Sequence, residues 1–386
     1  MPSLTVNSGD FARAVNAAKN MILSRTTMPL LQCVAITAEG GKMRVAATDL
    51  NSGVATSIHC AGSGMWALSY DRLSAFVAAM PKGKDVAMSG ETMVTMRCGS
   101  VTARIPSLDA SDFPNLHVNR PANMDLPTFN DGRFVTALSR MAVLCADGTG
   151  SQMFMRGVHI GIDGARGRLS AITGYKSGWF DFETEALASV NAIIPASCVP
   201  SVASLFESAP LTIAQSGGLV WFAGGGCEYV TKAIDATIPD MDWPKPFHEG
   251  AFTVDVESMS SALGAVSRVS DKENAIIIRV SPSGSFLAAS SGEGGMMCVP
   301  FDCEAQGEWV ATASSHVIKA MLVAAGKGTI KMALCPGSGI ATAPHIHAIA
   351  DNYLGIAMPM RGNADEIDAA IAAFDAVHVA PEAIAA

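Results

Sequence analysis

A chain of 386 residues is long enough for two or three domains. Its 49% hydrophobic content reads as globular, and a formal net charge of −9, from 26 basic and 35 acidic residues, argues against nucleic-acid binding unless the positive charge is gathered on one surface. The first ten residues carry no basic and apolar leader, and no run nears the roughly 18 apolar residues of a membrane span. Nine scattered cysteines, with Cys33, Cys145 and Cys335 inside apolar runs, read as reduced thiols packed as small hydrophobes, so a cytoplasmic location is expected.

The chain opens with LTVNSGDFARAVNAAKNMI from Leu4, a short β-type run, a polar break and a helical pattern with Phe11, Val15, Ala18 and Ile22 on one face. A strand pair follows (GKMRVAATDLNSG from Gly41), then a strand-to-helix unit (ALSYDRLSAFVAAM from Ala67) and the closing phrase ARIPSLDASDFPNL from Ala103. A Pro-bearing polar stretch at Arg120 to Asn123 marks a boundary. The same order then returns: LPTFNDGRFVTALSRMAVL from Leu126, with Phe134, Leu138, Met141 and Cys145 in register, GRLSAITGYKSG from Gly167, AIIPASCVPSVASLF from Ala192 and TKAIDATIPDMDWP from Thr231. A second boundary falls at Pro244 to Gly250. A third round reads AFTVDVESMSSALGAVSRV from Ala251, with Met259, Leu263 and Val266 on one face. It continues with GSFLAASSGEGG from Gly284, WVATASSHVIKAML from Trp309 and GIAMPMRG from Gly355.

Between these phrases lie short alternating runs such as VAITA, VTMRC, HIGID, LVWFA, AIIIRV and TIKMAL, separated by Gly, Asp, Ser and Asn as antiparallel hairpins require. Each copy therefore has about two helices and many strands, an α+β arrangement with helices on one face of antiparallel sheets. The expected domains are 1–122, 123–248 and 249–361. A tail, 362–386, lies outside the repeat, and its stretch DEIDAAIAAFDAV favours helix by propensity and dipole. A period of about 120 residues is a whole small domain and too long for a solenoid unit. Three copies in a row fit a geometric task such as an arc or ring better than a single active site.

Basic residues sit on the helical phrases away from the apolar stripes: Arg13 opposite Phe11, Arg133 and Arg140 about 120° from Phe134, and Arg268 opposite Met259. The second helical phrases offer Arg72 and Lys319, and the middle copy none. Ordinary solvated faces account for each singly; together they also fit one common basic surface. If two chains closed head to tail, about twelve inner helices at 8–10 Å spacing would leave an opening near 25 Å, of the order duplex DNA needs. Contacts there would reach phosphates without reading sequence.

The phrases TTMPLLQCVAI, AATDLNSGVAT, DFPNL at Asp112 to Leu116 and the terminal MPMR at Met358 to Arg361 resemble the bacterial DNA polymerase III β subunit, the sliding-clamp family, over about Leu4 to Arg361. The resemblance implies a homodimeric ring of three-fold repeated clamp domains, with sheets outside and helices inside, enclosing double-stranded DNA. It implies short linear peptides from the polymerase III α subunit and the clamp loader as partners, and no cofactor of its own. Carried over by position, the peptide pocket comprises Met155, Ile172, Gly174, Tyr175, Lys176, Pro239, Trp243, Ile340, Ile356, Met358, Pro359, Met360 and Arg361. The family's His-Arg-Leu stands here as Tyr175-Lys176-Ser177, and a rim arginine as Trp243, so peptide preference is expected to differ. DNA contacts extend to Arg25 and Phe154, the latter in place of a common Tyr. The ring interface would join Arg72 and Phe76 of one copy to Arg268, Val269 and Lys272 of the other. Most relatives stop near MPMR; Phe374, Val377 and Val379 could dock the extra tail, against a preferred reading of a loosely packed acidic extension and a third in which it covers part of the pocket.

No catalytic pattern stands out. Cys298 and Cys303 with His345 and His347 could be drawn as a metal site, but CxxxxC is not knuckle spacing, and no metal is expected. Ala325-Gly326-Lys327-Gly328-Thr329 fails the P-loop pattern twice, at Met321 and Gly328. Ser270-Asp271-Lys272 and Lys176-Ser177-Gly178 lack any Ser-x-x-Lys partner. The reading is a non-enzymatic processivity factor, with a non-ring peptide-binding adaptor or decoy as the alternative and a β-scaffold hydrolase a distant third.

Overall fold

The computed structural model describes residues 2–114, 126–148, 151–184, 189–207, 210–239, 245–270, 275–291, 295–305, 307–336 and 344–378. All six helical phrases of the three copies form helices: α1 (Ser8–Ala17), α2 (Tyr70–Ala79), α3 (Arg133–Ala142), α4 (Val199–Phe206), α5 (Val256–Val266) and α6 (Ser315–Ala325). The tail forms a seventh, α7 (Ala364–His378). The polar breaks act as caps. Asn7 accepts hydrogen bonds from the amides of Gly9 and Asp10 at the start of α1, and Asp255 accepts from Ser258 at the start of α5. The stripes read from the sequence are largely the buried faces: Phe11, Val15 and Ala18, then Phe134, Leu138, Met141 and Cys145, then Met259, Leu263 and Val266 are at most 4% exposed, while Ile22, beyond the end of α1, is half-buried.

Packing groups the chain into two compact units. One is Met1–Thr136, Gly161–Ala165 and Thr184–Asp235; the other is Ala137–Ile160, Arg166–Glu183 and Ala236–Ala386. The first unit holds a 12-stranded sheet. Its strands from 3–108 continue into those of 211–232 where Ser52–His59 pairs antiparallel with Cys227–Lys232, Val54 opposite Tyr229. In the second unit a sheet runs through Arg166–Ile172, Lys176–Glu183, Tyr353–Ala357, His345–Ala350, Thr329–Cys335, Phe252–Asp255 and Cys303–Ala305. There Lys176–Glu183 pairs antiparallel with Tyr353–Ala357, Gly178 opposite Gly355. A further 4-stranded sheet runs Met296–Pro300, Phe286–Ser290, Ala275–Val280 and Trp309–Ser314.

Two backbone ladders, Ser52–His59 with Cys227–Lys232 and Lys176–Glu183 with Tyr353–Ala357, thus join segments far apart in the chain. At the first, Ser52 Oγ donates to Thr231 Oγ1 at 3.0 Å, and the Cys198 thiol lies 3.1 Å from Thr231 Oγ1, a polar knot among buried groups. At the second, the facing residues are glycines for a steric reason. A Cβ on Gly178 would lie 2.6 Å from Leu144 Cδ1 and 3.1 Å from the Leu354 carbonyl oxygen, and one on Gly355 would meet the Tyr353 hydroxyl at 2.1 Å.

The tail corrects the expectation of a loose extension. Ala370 and Phe374 are buried with Ile277, Phe286 and Ala288, and Ile367 and Ile371 pack alongside. Phe374 stacks on Phe286 at 4.5 Å. Asp375 pairs at 2.7 Å with Arg279, whose side chain is only 8% exposed. The apolar side of α7 is therefore taken up by the 4-stranded sheet and is not free to cover the peptide-site residues. Val377 stays exposed, and Val379 lies outside the described residues. The stretches expected to bound the copies fall partly outside the description as well, Arg120 to Asn123 wholly and Pro244 at the edge of the second.

Candidate peptide-binding and nucleic-acid-facing sites

The second join positions most of the expected peptide-site residues. Thr173 N donates to the Lys176 carbonyl at 2.7 Å, and Lys176 N donates to Thr173 Oγ1 at 3.2 Å, a tight turn with Gly174 and Tyr175 at its tip. The ladder then sets Lys176 opposite Ala357 and Ser177 opposite Ile356, and the Met358 amide donates to the Tyr175 carbonyl at 2.9 Å. Ile172 and Ile356 form a buried floor, while Tyr175 is 58% and Met358 40% exposed. Pro359, Met360 and Met155 are half-buried; Gly174, Arg361 and Pro239 are exposed. The Met360 amide donates to Thr312 at 2.7 Å, anchoring the MPMR segment. Trp243 and Ile340 lie outside the described residues. An apolar floor with exposed, adaptable methionine and tyrosine around it can seat apolar side chains of an extended peptide.

Lys176 is more constrained than a rim lysine. Its ammonium donates to the Val143 carbonyl at 3.0 Å, just beyond α3, where a cation also meets the negative end of the helix dipole. Burial holds its pKa below the ordinary lysine value, while Asp147 acts the other way. Beneath it, burial pushes the Cys145 thiol up to about 12, so it stays protonated at neutral pH.

The expected DNA contacts differ in freedom. Arg13, Arg25, Arg72, Arg133, Arg268 and Lys319 are exposed, and Phe154 is half-buried. Arg13 pairs with Asp10 at 2.9 Å, and Arg133 bonds to Asp131. Such exposed pairs contribute about 0–1 kcal/mol. Arg13 lines a cleft of about 750 Å³ together with Asn16, Lys19, Asn20, Thr56 and Ser204. Arg140 is partly buried, with Nη1 donating to the Ala325 carbonyl at 3.5 Å, so it also serves as a cationic cap on α6. Of the interface residues, Arg72 and Arg268 are exposed and Val269 half-buried. Phe76 is a correction. At 4% exposure it is a core residue of its own copy, one turn from buried Leu73, and its side chain offers a partner almost no surface. Lys272 lies outside the described residues.

The histidine-cysteine grouping is also corrected. Cys298 Sγ faces the Ala370 carbonyl, and Cys303 Sγ donates to Ser285 Oγ at 3.1 Å. It is Cys335 that meets His345 and His347, because Cys335 faces His345 across a hairpin and residues two apart share a face.

Residues 3–117 match the family model described as DNA polymerase III beta subunit, N-terminal domain. A beta sliding clamp of Caulobacter vibrioides is 22% identical over 320 residues, spanning 79% of this chain and 85% of that protein. Among solved structures, a sliding clamp (DNA polymerase III subunit beta) from Pseudomonas aeruginosa superposes with a TM-score of 0.82 at 16% identity, covering 94% of this chain and 100% of that one. The DNA polymerase III beta subunit of Thermotoga maritima gives 0.79 at 18% identity, covering 94% and 100%. The chain carries the fold of the DNA polymerase III beta subunit, the sliding-clamp family. Its α+β character and antiparallel sheets agree with the reading from periodicity. Among the described residues no helix is long and apolar enough to cross a membrane.

Proposed function

We propose that this chain is a DNA sliding clamp. Two copies, each of three clamp domains (1–122, 123–248 and 249–361), close head to tail around duplex DNA, and the patch of Ile172, Tyr175, Ile356 and Met358 tethers the replicative polymerase and the clamp loader by short peptides. The clamp needs no catalytic site: enclosure keeps it on DNA, and tethering raises the polymerase's effective concentration at the primer end. The supporting observation is the pair of edge-to-edge ladders joining successive copies, at Ser52–His59 with Cys227–Lys232 and at Lys176–Glu183 with Tyr353–Ala357. Backbone ladders transmit strain along a rim where flexible linkers would not, which suits a ring. Arg13, Arg25, Arg72, Arg133, Arg268 and Lys319 would meet phosphates without sequence readout, as sliding requires.

Loading onto nicked circular plasmid with a cognate loader and ATP tests this. Protein should co-elute with the circle at moderate salt and be lost when a restriction enzyme linearises it. Retention on linear DNA, or failure to load despite loader binding, would point to an adaptor that does not enclose DNA.

A further inference from the structure

We infer that Cys335, His345 and His347 form a transition-metal site of the zinc class. The three side chains leave one face of the sheet, Cys335 opposite His345 on the neighbouring strand and His347 two residues further along. They are 7%, 2% and 0% exposed, and one ligand atom from each lies within 4.8 Å of the others. Neighbouring positions on this face are apolar: Ala333 and Ile356 both oppose His347. A buried imidazole in such surroundings carries an unmet polar demand unless each ring nitrogen finds a partner. At His347 it is visible. Nδ1 accepts the Phe247 amide at 3.1 Å, whereas Nε2 is buried with no hydrogen-bond partner.

The donor set fits zinc. Nitrogen and sulfur ligands at about 2.0–2.3 Å in a tetrahedron stand roughly 3.3–3.6 Å apart, so an ion needs to draw these atoms together by only about 1 Å. His248 lies near His347, and a metal takes the neutral form of an imidazole ring. The fourth position falls to exposed His248, to water or to a group from a partner. Binding through Nε2 moves the ring proton to Nδ1, which then turns a donor toward the Phe247 amide; that bond must open. Metal uptake is therefore coupled to the 245–250 segment, and through Ile356 to the strand Tyr353–Ala357, which leads into Met358. The site follows from register and burial and stands whether or not the chain encircles DNA.

The test uses the whole purified chain, stripped with chelator and titrated with Co²⁺ and Zn²⁺. One ion per chain is expected, with a thiolate-to-cobalt charge-transfer band and intense tetrahedral d–d bands, displaced by Zn²⁺. Hydrogen exchange at Phe247 should quicken on loading. C335S should lose the charge-transfer band and weaken Zn²⁺ binding by about a hundredfold, as should H347Q, while H316Q at an exposed histidine should change nothing. Should C335S or H347Q not fold, a rise in the wild-type melting temperature with Zn²⁺ that EDTA reverses supports the site. No stoichiometric binding and no such rise, or unchanged binding in folded C335S and H347Q, would overturn it.

Discussion

The two ladders that join distant segments of the chain are built alike and finished differently. Each pairs its two strands antiparallel. The first is closed by buried polar groups, Ser52, Thr231 and Cys198, whose bonds are satisfied within the knot. The second is glycine against glycine, packed with Leu144 and Tyr353, and it ends beside exposed Tyr175 and Met358. The proposed peptide patch lies beside exposed apolar side chains at the end of the second ladder, where the described residues form no polar knot like that of the first.

The sharpest way to break this contrast is Gly178→Val. No side chain fits between Leu144 and the Leu354 carbonyl, so the second join should lose about 3 kcal/mol or more and the unit that holds Gly178 should melt earlier in calorimetry. Phe374→Ala follows closely, at about 3 kcal/mol, because it empties the space between α7 and the sheet bearing Phe286. A melt unchanged by that substitution would mean the tail adds no stability. Ser52→Ala, at the first join, should cost about 1 kcal/mol, since Thr231 keeps the Cys198 contact. The smallest stability effect belongs to Met358→Ala with Tyr175→Ala, within about 0.5 kcal/mol, yet binding of a labelled clamp-loader peptide should weaken about tenfold or more. Ser52→Ala should leave that affinity alone, and weakening of both alike would erase the distinction between the joins.

Much of the fold was legible because periodicity is local. Phe134, Leu138 and Met141 step along one helix face, and the six helices follow from such stripes with Asn7 and Asp255 as caps. Phe76 was legible too, three residues after Leu73, but assigning it to a partner surface ignored that this spacing marks the core face. What the sequence hid depends on distant register. The Ala-rich α7 gives a weak apolar stripe, and only the sequence-distant partners Phe286 and Arg279 reveal its docking. Lys176 looks like a rim cation until Val143 comes to face it. Cys335 joins His345 and His347 only once the hairpin pairs them; reading Cys298 and Cys303 into that group followed composition and not alternation.

The most direct test of the central claim is negative-stain electron microscopy of the purified chain at micromolar concentration, which needs neither loader nor partner. The clamp reading predicts closed two-copy rings with a central hole wide enough for duplex DNA. Isolated crescents that stay open as concentration rises would contradict it and leave a peptide-binding adaptor in its place.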